Sequence, residues 1–204
     1  MTESRRLILG ISGASGARLG LRALTLLASS ERIDELHLVV SPRALIVARD
    51  ELALDIRTAA ELVLAAQLDA ATRQRVVMHE DETIDASIAS GSFSTIGMAV
   101  LPCSVGTLAA IAHGISRGLL QRAADVCLKE RRRLILGLRE TPYSLVHAEN
   151  ILAATRAGAI VAPPVPAFYA ARTAEEMLDA YLLRVADLLE VPIATADYRW
   201  KGHP

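Results

Sequence analysis

The 204-residue chain balances 22 basic against 23 acidic side chains, with a formal net charge of -1 and 3 % aromatic residues, so it offers nucleic acid neither a basic surface nor stacking platforms. Its 52 % hydrophobic content suits one well-buried domain over residues 1–204, while two cysteines and five histidines without ligand spacing exclude a disulfide framework and a zinc site and point to a reduced, cytoplasmic protein. No apolar stretch of about 18 residues is free of breakers, so neither signal peptide nor membrane span is expected; a mean hydropathy of +0.33 then implies apolar surface hidden between copies of a homo-oligomer.

The first stretch, Leu7 to Ile11, reads as a strand buried on both faces, and Gly13, Ala14, Ser15 and Gly16 follow as a glycine-punctuated turn into a helix placed at Ser15 to Ser29. Ser12 or Ser15 is the expected cap. A helix start carries unpaired N–H groups and a partial positive charge, so phosphate is the natural occupant, but the glycines at 10, 13 and 16 match neither the dinucleotide fingerprint nor the P-loop, which leaves phosphate or cofactor binding beside a plain tight strand-to-helix turn.

Glu35 to Val40 reads as a second strand, and Ser41-Pro42 as the cap and first residue of a helix that has Glu51 near its end. Thr58 to Leu68 is a further helix. From Asp69 to Ser94 the pattern weakens, with at most a short strand at Arg75 to Met78, and this region is expected to be a long functional loop. Thr95 to Leu101 is a strong strand that ends at Pro102-Cys103-Ser104, and Cys103 is expected to behave as a small buried hydrophobe. Helices follow at Thr107 to His113 and Gly118 to Arg131, then a strand at Leu134 to Leu138 ending in Arg139-Glu140. A helix over Ser144 to Arg156, a strand at Ala159 to Ala162 and a long amphipathic helix from Thr173 to Glu190 complete the order.

Strands alternating with helices predict an α/β fold: a three-layer Rossmann-like architecture with a mostly parallel sheet flanked by helices. Ligands of such sheets sit beyond the carboxyl ends of the strands, which here supply Gly13 to Ser15, Ser41, Ser104 with Thr107, and Arg139 with Glu140.

Seven segments in order, Gly10 to Gly16, Ala89 to Phe93, Pro102 to Ser104, Arg122 to Glu130, Arg139 to Pro142, His147 to Asn150 and Pro163 to Tyr169, together resemble the UbiX-type flavin prenyltransferases. The resemblance implies a Rossmann-like, homododecameric, metal-independent flavoprotein. Such an enzyme transfers a dimethylallyl group from dimethylallyl monophosphate to N5 and C6 of reduced FMN, and the prenylated FMN goes to UbiD-type decarboxylases. It implies flavin contacts at Gly13, Ala14, Ser15, Ser41, Ser104, Val105, Gly106, Thr107 and Arg139. It also implies a prenyl-phosphate site at Arg122, Lys129, Glu140, Tyr169 and Arg184, part of it contributed across a subunit interface, and catalytic roles for Ser15, Glu51, Lys129 and Glu140.

Lys129 is one of only two lysines against twenty arginines, which suits a point-charge role on phosphate. Arg18, Leu19, Ile84 and Val105-Gly106 depart from the family pattern and bear on the shape of the prenyl pocket. Two rivals share the flavin site: an FMN-dependent peptidyl-cysteine decarboxylase, and a non-catalytic carrier of prenylated flavin that would not need Lys129 and Glu140.

Overall fold

A computed structural model describes residues 5–165, 167–169, 172–191 and 193. Six parallel strands stand in the order β3-β2-β1-β4-β5-β6: β1 (Arg6–Ile11), β2 (Glu35–Val40), β3 (Val76–Glu80), β4 (Gly97–Cys103), β5 (Arg133–Leu138) and β6 (Ile160–Val161). The expected parallel sheet is therefore present, and its order reverses between β1 and β4. That reversal opens a crevice at the carboxyl ends of these two strands, because their crossover chains leave toward opposite faces.

Alternation along the strands explains the two cores. Leu7, Leu9, Leu36, Leu38, Ala99 and Leu101 face one layer, with α1 (Ala17–Ala28), α2 (Pro42–Leu52), α3 (Ala59–Ala65) and α8 (Ala174–Leu188). Ile8, Val39, Met98, Val100, Leu134 and Leu136 face the other, with α5 (Val105–Ala112), α6 (Leu119–Lys129) and α7 (Leu145–Ala157). Sheet residues wholly withdrawn from water on both faces account for the near-continuous apolar runs in the sequence.

The stretch from Asp69 to Ser94 is more ordered than expected. Asp69 accepts a hydrogen bond from the Thr72 N–H (2.9 Å) and starts α4 (Ala70–Gln74), which leads directly into the edge strand β3. Local capping chemistry, too short to register as periodicity, makes this turn. The irregular part is confined to residues 81–96 with one 3₁₀ turn at Ser87–Ala89. Helix α3 is also shorter than expected, with Thr58 as its cap and Glu61 closing the reciprocal bond. Cys103 and Cys127 are free and buried, as expected for Cys103, and burial pushes both thiols up to about 12.

Candidate functional site

The turn after β1 does not use either serine as a helix cap. Gly16 is the cap residue of α1, at φ 120° and ψ 34°, a backbone conformation open to glycine and costly with a Cβ. Ser12 is instead buried: its Oγ donates to the Pro102 carbonyl (3.0 Å) and accepts from the Ser104 N–H (2.8 Å), which joins the loop after β1 to the carboxyl end of β4 and the residue after it. Gly13 is required by the packing of α2, since a Cβ there would fall 2.5 Å from the Arg43 Cβ. The Ala14 N–H donates to the Ser12 carbonyl (2.8 Å), which tightens the turn.

The exposed start of α1 is filled by the protein itself. Glu51, in the last turn of α2, accepts from the N–H groups of Gly16 (2.9 Å) and Ala17 (2.7 Å), and its carboxylate also takes a hydrogen bond from Ser15. The expectation of a phosphate at this helix start is corrected accordingly: the anion there is a carboxylate 35 residues away in sequence. Burial alone would raise the Glu51 pKa. The hydrogen bonds from Ser15, Ala17 and Gly16, together with the positive charge of Arg139, overcome that and lower it.

Beyond this pair opens a cleft of ≈ 580 Å³ lined by Gly13, Ser41, Ser104, Gly106 and Thr107 together with Arg43, Asp81, His113, Arg117 and Gln121. Ser41 caps α2 by accepting from the Ala44 N–H (3.3 Å). Ser104 caps α5: its Oγ accepts from the Thr107 N–H (3.2 Å) and donates to the Thr107 Oγ1 (3.0 Å). Helix α5 thus begins two residues earlier than its sequence suggests, and Val105 and Gly106 form its first turn. Their N–H groups meet no acceptor among the described residues. A Cβ at Gly106 would touch nothing within 4 Å, so that glycine leaves open space. Uncommitted N–H groups, three hydroxyls and open backbone fit the phosphate and polyol of a nucleotide such as FMN.

Asp81 was not anticipated as a site residue. It follows the edge strand β3 at the same carboxyl edge, so a strand end counted there would have found it. Its Oδ1 accepts from the Leu120 N–H (2.8 Å) and its carbonyl from the Leu119 N–H (2.6 Å), so it caps α6 in place of Gly118, which has no side chain. Burial raises its pKa, with the single N–H bond opposing.

The residues expected around the prenyl phosphate are dispersed within one chain. Arg139 and Glu140 follow β5 at the carboxyl edge; the Arg139 N–H donates to the Cys103 carbonyl (3.0 Å), and Glu140 accepts from the Thr141 N–H (3.0 Å). Lys129 is the last residue of α6, which runs back to the amino edge. There it pairs with Glu130 beside Gly91, and Arg132 holds the carbonyls of Gly91 (2.7 Å) and Phe93 (2.8 Å). The length of β5 separates the two edges, about 20 Å for six residues. Arg122 lies between them on α6, bound to the Ala89 carbonyl (3.2 Å) and to Asp125 (2.6 Å). Arg184 is exposed on α8, and Tyr169 is exposed after β6. A single chain therefore assembles Ser15, Glu51 and Arg139, but does not bring Lys129 to Glu140.

Residues 1–191 match the family model described as Flavoprotein. The chain is 42 % identical over 200 residues to the flavin prenyltransferase UbiX of Salmonella typhimurium, covering 97 % of this chain and 99 % of that protein. Its structure is similar to the crystal structure of AnUbiX in complex with FMN and dimethylallyl pyrophosphate (TM-score 0.81, 38 % identity, 99 % of this chain and 100 % of that one). It is equally similar to a dodecameric FMN-dependent UbiX-like decarboxylase from Escherichia coli (TM-score 0.82, 39 % identity, 97 % and 100 %).

Proposed function

The chain belongs to the UbiX-type flavin prenyltransferases, and on that premise we propose that it joins a dimethylallyl group from dimethylallyl monophosphate to reduced FMN and yields prenylated FMN for a UbiD-type decarboxylase. The observation that carries this reading is the pairing of Ser15 with an ionised Glu51 in the field of Arg139, at the carboxyl edge between β1 and β4. The flavin supplies the nucleophilic nitrogen and carbon that the prenyl group joins.

Gly13, Ala14, Ser41 and the Ser104 to Thr107 turn hold and orient the flavin nucleotide. The Ser15 hydroxyl, hydrogen-bonded to the Glu51 carboxylate, passes a proton away from the flavin, because a carboxylate kept ionised accepts what a lone hydroxyl cannot. Lys129, Arg122 and Arg184 neutralise the departing phosphate, Tyr169 orients it, and Glu140 sets its protonation; charge-assisted contacts of this kind are about twice as strong as neutral ones.

Because Lys129 and Glu140 stand at opposite edges of one sheet, the complete phosphate site is built from more than one copy of the chain. Apolar side chains exposed on α7, Leu145, Val146 and Leu152, supply surface for such a homo-oligomer, for which a dodecamer is the arrangement we propose. Among the described residues no helix is long and apolar enough to cross a membrane. The two free, buried thiols suit a cytoplasmic enzyme.

Anaerobic incubation with reduced FMN and dimethylallyl monophosphate, followed by mass spectrometry of the released flavin, tests this. The expected product is heavier by one C5H8 unit. Its rate of formation should fall about 100-fold or more in Glu140→Gln and in Lys129→Ala. Reassembling the two inactive variants into mixed oligomers should restore part of the activity. Unmodified flavin from wild-type protein that binds FMN overturns the reading and favours the thiol decarboxylase or the carrier.

A further inference from the structure

We propose that Arg43 and Arg117 clamp the phosphate of the flavin mononucleotide and make this chain select a phosphorylated flavin over riboflavin. The inference rests on the flavin-binding reading above and adds two residues that neither the strand-end serines nor the family motifs single out.

The side chains already present decide where a flavin phosphate would go. Along the carboxyl edge, the start of α1 is occupied by Glu51, that of α6 by Asp81 and that of α7 by the Ser144–His147 capping box. What remains is the cleft between the starts of α2 and α5, where the N–H groups of Val105 and Gly106 have no acceptor among the described residues and the Ser41, Ser104 and Thr107 hydroxyls line the wall. A dianion placed there also needs countercharge that is not already neutralised.

Arg43 and Arg117 line this cleft from α2 and from the turn before α6. Neither takes part in an ion pair among the described residues, whereas Arg5, Arg22, Arg57 and Arg122 all have carboxylate partners. The one carboxylate lining the cleft, Asp81, is engaged with the Leu120 N–H. Gly13 contributes by letting the first turn of α2, which carries Arg43, seat against the loop after β1 beside the cleft. Two guanidinium groups lining one cleft with an uncommitted helix start supply the charge and the forked donors with which arginine grips phosphate oxygens.

The test is a titration of flavin-free protein with FMN and with riboflavin, followed by quenching of flavin fluorescence. Wild-type protein should bind FMN about 100-fold more tightly than riboflavin. Arg43→Gln and Arg117→Gln should each weaken FMN about 10-fold, and the double variant should fall to the riboflavin level with its riboflavin affinity unchanged. Inorganic phosphate should compete with FMN and not with riboflavin. Unchanged FMN affinity in the double variant overturns the clamp, as does an equal loss for both flavins, which would signal a damaged fold. Wild-type protein that binds neither flavin would instead reject the flavin reading itself, and the clamp with it.

Discussion

Helices α1 and α6 both begin at a glycine that has no cap of its own, and both borrow a carboxylate from a distant part of the chain. Glu51 serves α1 and Asp81 serves α6, yet burial and bonding shift their pKa values in opposite directions. Burial pushes each upward, but Glu51 receives a hydroxyl and two N–H groups and feels Arg139, so its pKa is lowered; Asp81 receives one N–H and feels Glu82, so its pKa is raised. The number of donors aimed at a carboxylate, rather than its role as a cap, decides the direction in which its pKa moves. Both carboxylates start a helix, and Glu51 is in addition held as the anion that receives the Ser15 hydrogen bond.

The largest break in this comparison should come from Glu51→Gln. The amide keeps an acceptor for the start of α1 but carries no charge for Ser15 to work against, so prenylated flavin should form about 100-fold more slowly while FMN still binds. A single-turnover mass assay beside an FMN titration separates the two effects, and a variant with full activity would remove Glu51 from the proton path.

Asp81→Ala should act on stability instead. It leaves the Leu120 N–H without its acceptor at a half-buried helix start, a loss of about 1 kcal/mol, read as a lower urea midpoint at unchanged slope. Asp81→Asn, which keeps an acceptor, should recover most of it.

The smallest effect is the sign of the pH dependence. With its folded pKa lowered, Glu51 adds stability above its unfolded value of 4.5 that is lost as pH falls through the folded pKa. With its folded pKa raised, Asp81 does the reverse: its burial cost is present above the folded pKa and is relieved as pH falls toward the unfolded value of 3.8. Urea midpoints followed from pH 7 down to about pH 3 should therefore drop less steeply in Glu51→Gln than in the wild type, and more steeply in Asp81→Asn. Identical slopes in the two variants would erase the distinction.

Much of the fold was legible because its signals are local. Fully buried strands give unbroken apolar runs, and Ser41-Pro42, Thr173 and Ser144 announce helix starts with their own side chains. Where the capping group comes from far away, the same logic misplaces the anion. The turn Gly13 to Gly16 advertises an empty helix start, and nothing next to it in sequence reveals that Glu51 fills it. Asp69 to Gln74 was missed for a different reason, since one turn of helix is too short to show a period.

By itself the sequence determined the strand-helix alternation, the small residues and hydroxyls at the strand ends, and the motifs that carry the family, because each depends on residues close together in the chain. Only the tertiary structure decided which helix starts are already occupied, that Asp81, Arg43 and Arg117 share a cleft with Ser104, and that Lys129 stands a sheet's depth from Glu140. These depend on strand order and on the direction in which each helix returns, and two charges brought together or kept apart by packing leave no mark on their sequence neighbours.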